Sequence, residues 1–166
     1  LRLSGLVIEA GARRLVDGVS LELLPGQITV LVGSSGSGKT LTARSLLGMV
    51  PTRPGVVEGR LEIELDGHVH LPFDQGFGAI RGAVVGYLAQ DAPGSLDPLW
   101  TVGRQVREAL ELAGRPLDPL PWLRRAGLPE PERVAGLFAH ELSGGMAQRA
   151  TIALSLARGS RYLVAD

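Results

Sequence analysis

Cysteine is absent from this chain of 166 residues, so it can form neither a disulfide framework nor a thiol-based site. Neither sign of charge is in excess, because the chain has 17 basic and 17 acidic residues. This balance argues against a nucleic-acid partner held by bulk electrostatics. No apolar run reaches the roughly 20 residues of a membrane-spanning helix. We therefore expect any membrane role to come through a partner, and the 45% of apolar residues to build one domain, with or without an inserted subdomain.

Lysine is almost absent as well. Lys39 is the only one, and the other 16 basic residues are arginines. It lies in the segment Gly33–Thr40, which reads GSSGSGKT and fits the phosphate-loop pattern G-x-x-x-x-G-K-[ST]. A slim ammonium can enter a ring of backbone amides and act as a point charge on phosphate oxygens, whereas a planar guanidinium is too wide. The motif predicts a nucleotide-phosphate site, with Thr40 offering a hydroxyl to Mg²⁺.

The surroundings of this motif predict a strand, a glycine loop and a helix in succession. Residues 27–32 are apolar and β-branched, which predicts a buried strand leading into the loop. Residues 40–49 have helical spacing. Before them, the apolar and polar alternation of residues 1–9 and 19–24 predicts strands, and Arg13 and Arg14 fall in the expected hairpin connection. This is the context that a phosphate loop requires.

The second half of the chain is predicted to be mainly helical. Alternation predicts a strand at residues 60–67, after a loop at 51–59, and an apolar run predicts a short buried strand at 84–89. Helices are expected at residues 101–113, with Thr101 as the N-cap, and at 145–158. Short helices are expected between residues 116 and 131.

Two further features of the sequence predict binding of a metal ion and of an anion. Asp166 follows an apolar strand, a position from which a carboxylate can hold Mg²⁺ opposite a phosphate loop. The segment Leu142–Arg149 reads LSGGMAQR, in which Ser143 and two glycines open a helix and expose an anion-binding helix start. One chain rarely needs two such sites for one nucleotide, so a head-to-tail dimer is the economical interpretation.

Taken together, these residues resemble the ATP-binding cassette (ABC) ATPases. Residues 33–40 match the Walker A loop, 142–149 the signature segment and 162–166 the Walker B strand, while Gln90 lies where the family has its Q-loop glutamine. The resemblance implies an α/β fold: a P-loop NTPase core, a β-rich N-terminal subdomain and an inserted α-helical subdomain, with the C-terminal part missing. It implies a β subdomain plus P-loop core at 1–90, a helical subdomain at 91–158 and the Walker B strand at 159–166.

The resemblance narrows to one group within the family on the basis of three stretches: the signature segment, the residues that follow Lys39, and the stretch from Gln90 to Leu99. They are similar to the oligopeptide, dipeptide and nickel importer group, and most of all to its nickel branch. This implies an ATPase that couples ATP binding and hydrolysis to uptake of nickel or peptides, peripheral on the cytoplasmic face of the inner membrane. Cargo is chosen by other subunits, so nickel versus peptide stays open.

The resemblance also implies the site residues and partners. Lys39, Gln90 and Asp166 would be catalytic, and Thr40, Gln90 and Asp166 would hold Mg²⁺. ATP would be bound by residues of the loop and of the signature: Gly33, Ser34, Ser35, Gly36, Ser37, Gly38, Lys39, Thr40 and Leu41, with Ser143, Gly144 and Gly145. The implied partners are a second ATPase subunit in a homo- or heterodimer, membrane permease subunits and, indirectly, an extracytoplasmic solute-binding protein; no nucleic acid is expected.

Two departures from the family pattern bear on activity. The aromatic residue that usually stacks on adenine would fall near Ala10, and residues 1–30 contain no aromatic, so base stacking is expected to be weak. The family's catalytic glutamate directly follows the Walker B aspartate, and this chain ends at Asp166. We therefore expect a fragment that hydrolyses hardly any ATP, from a parent protein that does. Two alternatives remain: a soluble ABC ATPase acting on nucleic acid or the ribosome, and a P-loop kinase.

Overall fold

The computed structural model describes all residues, 1–166, and divides the chain into two units, residues 1–80 and 81–166. The three-part domain assignment made from the sequence stays a prediction. The first unit is built on an antiparallel sheet of four strands in the order β2-β1-β3-β4. Its strands are β1 (Arg2–Ala10), β2 (Arg13–Glu22), β3 (Pro54–Leu65) and β4 (His68–His70). Two helices accompany them, α1 (Lys39–Ser45) and α2 (Pro72–Gln75).

The sheet buries one set of apolar side chains contributed mainly by β1 and β3. Leu3, Leu6 and Ile8 of β1 and Leu61 and Ile63 of β3 are at most 1% exposed. Strand β3 begins earlier than the alternation predicts, because residues from Pro54 onward, within the predicted loop at 51–59, pair with β1. Arg13 and Arg14 likewise belong to β2 rather than to the hairpin turn, which is made by Gly11 and Ala12.

The prediction of a buried strand at residues 27–32 is wrong for this structure. Neither sheet includes the segment, and Ile28, Val30 and Val32 are 93%, 72% and 89% exposed. A strand satisfies its backbone groups only through a neighbour, and no strand lies beside these residues. High β-propensity is therefore not sufficient here.

The second unit consists of one helical cluster and a two-stranded parallel sheet, β5 (Val85–Leu88) and β6 (Tyr162–Ala165). Its helices are α3 (Ala92–Ser95), α4 (Val102–Leu112), α5 (Leu120–Arg125), α6 (Pro131–Ala135) and α7 (Gly144–Arg158), with a 3₁₀ turn at Ala139–Glu141. The predicted helices at residues 101–113 and 145–158 are confirmed, and so is Thr101 as an N-cap. None of the helices combines the length and the apolar character needed to span a bilayer.

The long helix α7 is the centre of this unit. Its alanines Ala147, Ala150, Ala153 and Ala157 are completely buried and form a narrow apolar stripe. The stripe faces the core shared with α4 and α5, which includes Val102, Val106, Leu110 and Leu123. Small side chains on α7 allow its neighbours to approach closely, so the position of its N-terminus is set by packing along its whole length.

Candidate functional site

The glycine loop at residues 33–40 is an open, exposed turn that leads directly into α1. The amide of Ser37 donates to the carbonyl of Ser34 (3.3 Å), and Gly36 and Gly38 have φ angles of 79° and 87°. Only glycine adopts such angles without strain. Residues 33–37 and Thr40 are exposed, so their backbone amides can be reached by a ligand.

Gly38 is also required by a close approach to the neighbouring strand. A Cβ atom at this position would lie 2.8 Å from Cγ2 of Val16 and 3.1 Å from the carbonyl oxygen of Leu15. Val16 is itself buried, so it cannot move aside. The phosphate-loop segment is therefore held directly against β2.

The ammonium of Lys39 lies against the loop's own backbone. Its Nζ donates to the carbonyls of Gly33 (2.8 Å) and Ser34 (2.7 Å) and to Oγ of Ser37 (3.4 Å). The charge is thus placed within the glycine turn rather than extended into solvent. A lysine held in this way is positioned to exchange loop carbonyls for the oxygens of a bound phosphate.

A cavity of about 340 Å³ lies beside this loop. One side is formed by the glycine loop and the start of α1: Ser35, Gly36, Gly38, Lys39, Thr40 and Leu41. The opposite side is formed by the beginning of β2, through Arg13, Arg14 and Leu15. The sequence interpretation did not identify this second wall, because it placed the arginines in a hairpin connection.

The signature segment forms the start of α7. Ser143 is the N-cap, and its Oγ accepts a hydrogen bond from the amide of Met146 (3.3 Å). Ser143, Gly144 and Gly145 are exposed, and a Cβ added at either glycine would meet nothing within 4 Å. The helix start is thus accessible and free of steric cover, as a surface that receives an anion must be.

Gln90 and Asp166 follow the two parallel strands β5 and β6 at the same end. Leu88 pairs with Ala165, and the amide of Asp166 donates to the carbonyl of Leu88 (3.1 Å). The structure adds a residue that the sequence did not indicate, since the hydroxyl of Tyr87 donates to Oδ2 of Asp166 (2.9 Å). This bond orients the carboxylate, and only strand pairing reveals it because Tyr87 and Asp166 are 79 positions apart.

These residues are divided between the two units. The glycine loop, Lys39 and Thr40 belong to residues 1–80, whereas Gln90, the signature segment and Asp166 belong to residues 81–166. No group of three or more His, Asp or Glu side chains is arranged to hold a metal ion within the protein.

The family of the chain follows from comparison with known proteins. The family model described as ABC transporter matches residues 16–166, which include the glycine loop, the signature segment and the final strand. The chain belongs to the ABC transporter family. The predicted family is confirmed, and a P-loop kinase is excluded as an alternative.

Curated relatives are identical to this chain at more than a third of the aligned positions. The peptidoglycan transport ATP-binding protein YejF of Agrobacterium fabrum is 39% identical over 91% of this chain and 29% of its own length. The oligopeptide transport ATP-binding protein OppD of Bacillus subtilis is 35% identical over 94% of this chain and 45% of its own length. The nickel import ATP-binding protein NikD of Brucella suis is 37% identical over 96% of this chain and 60% of its own length. The chain thus spans between 29% and 60% of the length of these three relatives.

Solved structures agree with the predicted fold class. A dimeric post-hydrolysis structure of the ATP-binding cassette MJ0796, bound to ADP and Pi, has a TM-score of 0.74 at 26% identity and covers 99% of this chain and 72% of its own. A second dimeric structure of MJ0796 has a TM-score of 0.77 at 25% identity with the same coverage. The ABC ATPase fold class is therefore confirmed, and ATP is the ligand that the family binds.

Proposed function

We propose that the protein to which this chain belongs is the ATP-binding subunit of an importer, which couples ATP binding and hydrolysis to uptake of a peptide or of nickel. The observation that carries the proposal is the single lysine held inside an exposed glycine loop, beside a cavity of about 340 Å³, in a chain of the ABC family. The names of the relatives favour peptide or nickel import over action on nucleic acid or the ribosome.

In this proposal the phosphates of ATP occupy the glycine loop. The amides of Gly33 to Leu41 and the ammonium of Lys39 surround the β- and γ-phosphates and stabilise the charge that moves in the transition state. Lys39 gives up its bonds to Gly33 and Ser34 in exchange for phosphate oxygens. Gln90 contacts the attacking water and links the site to the helical unit.

The donor atoms available suit magnesium. Thr40 has a hydroxyl, Gln90 an amide oxygen and Asp166 a carboxylate, and hard cations such as Mg²⁺ prefer oxygen ligands. The absence of an all-protein metal cluster fits an ion that keeps waters and phosphate oxygens among its ligands. When bound, Mg²⁺ neutralises charge on the phosphates. The Tyr87 hydroxyl holds the Asp166 carboxylate in one orientation for this role.

A second copy, or a related subunit, would complete the site. The accessible helix start at Ser143, Gly144 and Gly145 would cover the phosphates bound by the partner's loop, so hydrolysis would require closure of the dimer. Membrane permease subunits, and through them an extracytoplasmic binding protein, would couple closure to transport. The protein would therefore work at the cytoplasmic face of the inner membrane.

Replacement of Lys39 tests the proposal. In the full-length protein, Lys39→Ala should abolish ATP binding and ATP-driven uptake, because no other ammonium exists in this segment. Arg107→Ala is the matched control, since it removes an exposed cation from α4, outside the site. Normal ATP affinity and uptake with Lys39→Ala would refute the assignment.

The role of the signature is tested by Ser143→Asp. Aspartate is as good an N-cap as serine, so α7 should stay folded, while its charge repels the partner's phosphates. ATP should then still bind each monomer, but ATP-dependent dimerisation should be lost. Unchanged dimerisation in analytical ultracentrifugation would contradict the proposed head-to-tail site.

A further inference from the structure

The wall of the nucleotide cavity opposite the glycine loop has no Phe, Tyr or Trp. It consists of Arg13, Arg14 and Leu15 at the beginning of β2. The first aromatic residues along the chain, Phe73 and Phe77, contact each other (ring centroids 5.9 Å apart) and line a different cavity together with β3. The flat surface that a base would meet must therefore come from another kind of side chain.

An arginine guanidinium is planar and can stack face to face on an aromatic ring. Of the two arginines in the wall, Arg14 already has partners. Its Nη1 donates to Oδ1 of Asp17 (2.8 Å), its Nε lies 3.6 Å from Oε1 of Glu9, and the hydrogen bond to Asp17 raises the pKa of the guanidinium. The guanidinium of Arg14 is thus already engaged by two carboxylates.

Arg13 is exposed and has no ion-pair partner in the structure. Its position is fixed by the strand rather than by its own contacts. Ile8 pairs with Val16 and Glu9 with Arg14, so Leu15 is an extra residue in β2, and such a bulge redirects the neighbouring side chains.

The distance from the glycine loop suits a base rather than a phosphate. The Leu15 carbonyl lies against Gly38, and Arg13 is two residues farther along the strand, or about 7 Å at ~3.3 Å per residue. When the loop and Lys39 hold the phosphates, the ribose and the base of the nucleotide extend along β2. Leu15, which lines the same cavity, lies between Arg13 and Val16 in the sequence of β2.

We propose that Arg13 is the base-stacking residue of this nucleotide site, where its guanidinium covers one face of the purine, with Leu15 packing beside it. This inference rests on the proposed ATP-binding function. Stacking requires only a π face, which adenine and guanine both present, so Arg13 strengthens binding without selecting between ATP and GTP. The positive charge of Arg13 is secondary to its planarity.

Nucleotide affinities of full-length variants, measured by calorimetry, test the proposal. Arg13→Ala should weaken ATP and GTP binding alike, by about twofold to fivefold, as expected for a stacked cation at an exposed site. Arg13→Lys keeps the positive charge but lacks the planar guanidinium, so its affinity for ATP and GTP should be as low as that of Arg13→Ala. Arg13→Trp should restore or improve the affinity. Inorganic tripolyphosphate, which has no base, should bind equally well to all four proteins.

Other outcomes would overturn the inference. If Arg13→Lys binds ATP like the wild type, or if Arg13→Ala weakens tripolyphosphate as much as ATP, Arg13 contacts phosphate instead. If Arg13→Ala has the same ATP affinity as the control Arg107→Ala, it has no role in binding. Failure of the proposed function itself is distinguishable, because the wild type would then bind neither ATP nor tripolyphosphate, or Lys39→Ala would leave both affinities unchanged.

Discussion

The two segments proposed to bind phosphate, the glycine loop and the signature helix start, are supported in different ways. The glycine loop is preceded by an apolar segment, residues 27–32, whose side chains Ile28, Val30 and Val32 are mostly exposed. The signature lies at the start of α7, whose alanine stripe is completely buried. The helix satisfies its backbone groups within itself, whereas the extended segment needs a neighbouring strand.

The two segments therefore depend on different parts of the protein. The helix start is positioned by a core that is complete within residues 81–166. The glycine loop is positioned by the contact of Gly38 with Leu15 and Val16 of β2 and by the internal bonds of Lys39. Four substitutions, at Leu123, Gly38, Ser143 and Val30, test this contrast.

Leu123→Ala should have the largest effect on stability. Leu123 of α5 is completely buried in the helical core, so its truncation leaves a cavity and should lower the free energy of unfolding by about 2–5 kcal/mol. Leu112→Ala is the matched control, because Leu112 is 64% exposed, and its cost should be below about 0.5 kcal/mol. Equal costs in urea denaturation would mean that the helical core is not packed as described.

Gly38→Ala should come next. The new methyl group would overlap Val16 at a residue whose φ is 87°, which should cost about 1–3 kcal/mol and displace the loop from β2. Gly36→Ala has a similar φ of 79° but open space around it, so only the backbone strain of about 1 kcal/mol should remain. Thermal denaturation and ATP affinity separate the two, and identical behaviour would show that the contact with Val16 is unimportant.

Ser143→Ala should have a smaller effect, confined to α7. Loss of the N-cap bond to Met146 should lower stability by about 1 kcal/mol. Ser143→Asp keeps a capping oxygen and should be within about 0.5 kcal/mol of the wild type. Hydrogen exchange of the first-turn amides provides the measurement, and faster exchange in both variants would argue against capping as the cause.

Val30→Thr should have the smallest effect. Val30 is 72% exposed in a segment without a strand partner, so the added hydroxyl is solvated and the change should stay within about 0.5 kcal/mol. Ile8→Thr is the control, because Ile8 is fully buried and its replacement should cost several times more. If Val30→Thr costs as much as Ile8→Thr in denaturant titration, residues 27–32 form a buried strand in solution and the contrast fails.

Sequence patterns predicted the elements whose stabilising interactions are local. The N-caps Thr101 and Ser143 both accept hydrogen bonds from amides three residues later, as the motifs require. The apolar runs at β5 and β6 are short, and a short apolar run favours a strand over a helix. Patterns were less informative about the first unit. They predict a loop at the beginning of β3 and a turn at Arg13 and Arg14, and both segments are strands in the structure.

The sequence alone was sufficient to predict the family, the glycine loop with its single lysine and the capped helices α4 and α7. Each depends on residues close together in the chain, whose chemistry and spacing are sufficient to define it. Three features could be seen only in the folded chain: β2 forms the second wall of the cavity beside the glycine loop, Tyr87 holds Asp166, and residues 27–32 have no strand partner. These features depend on which distant segments become neighbours, and strand pairing and packing decide that.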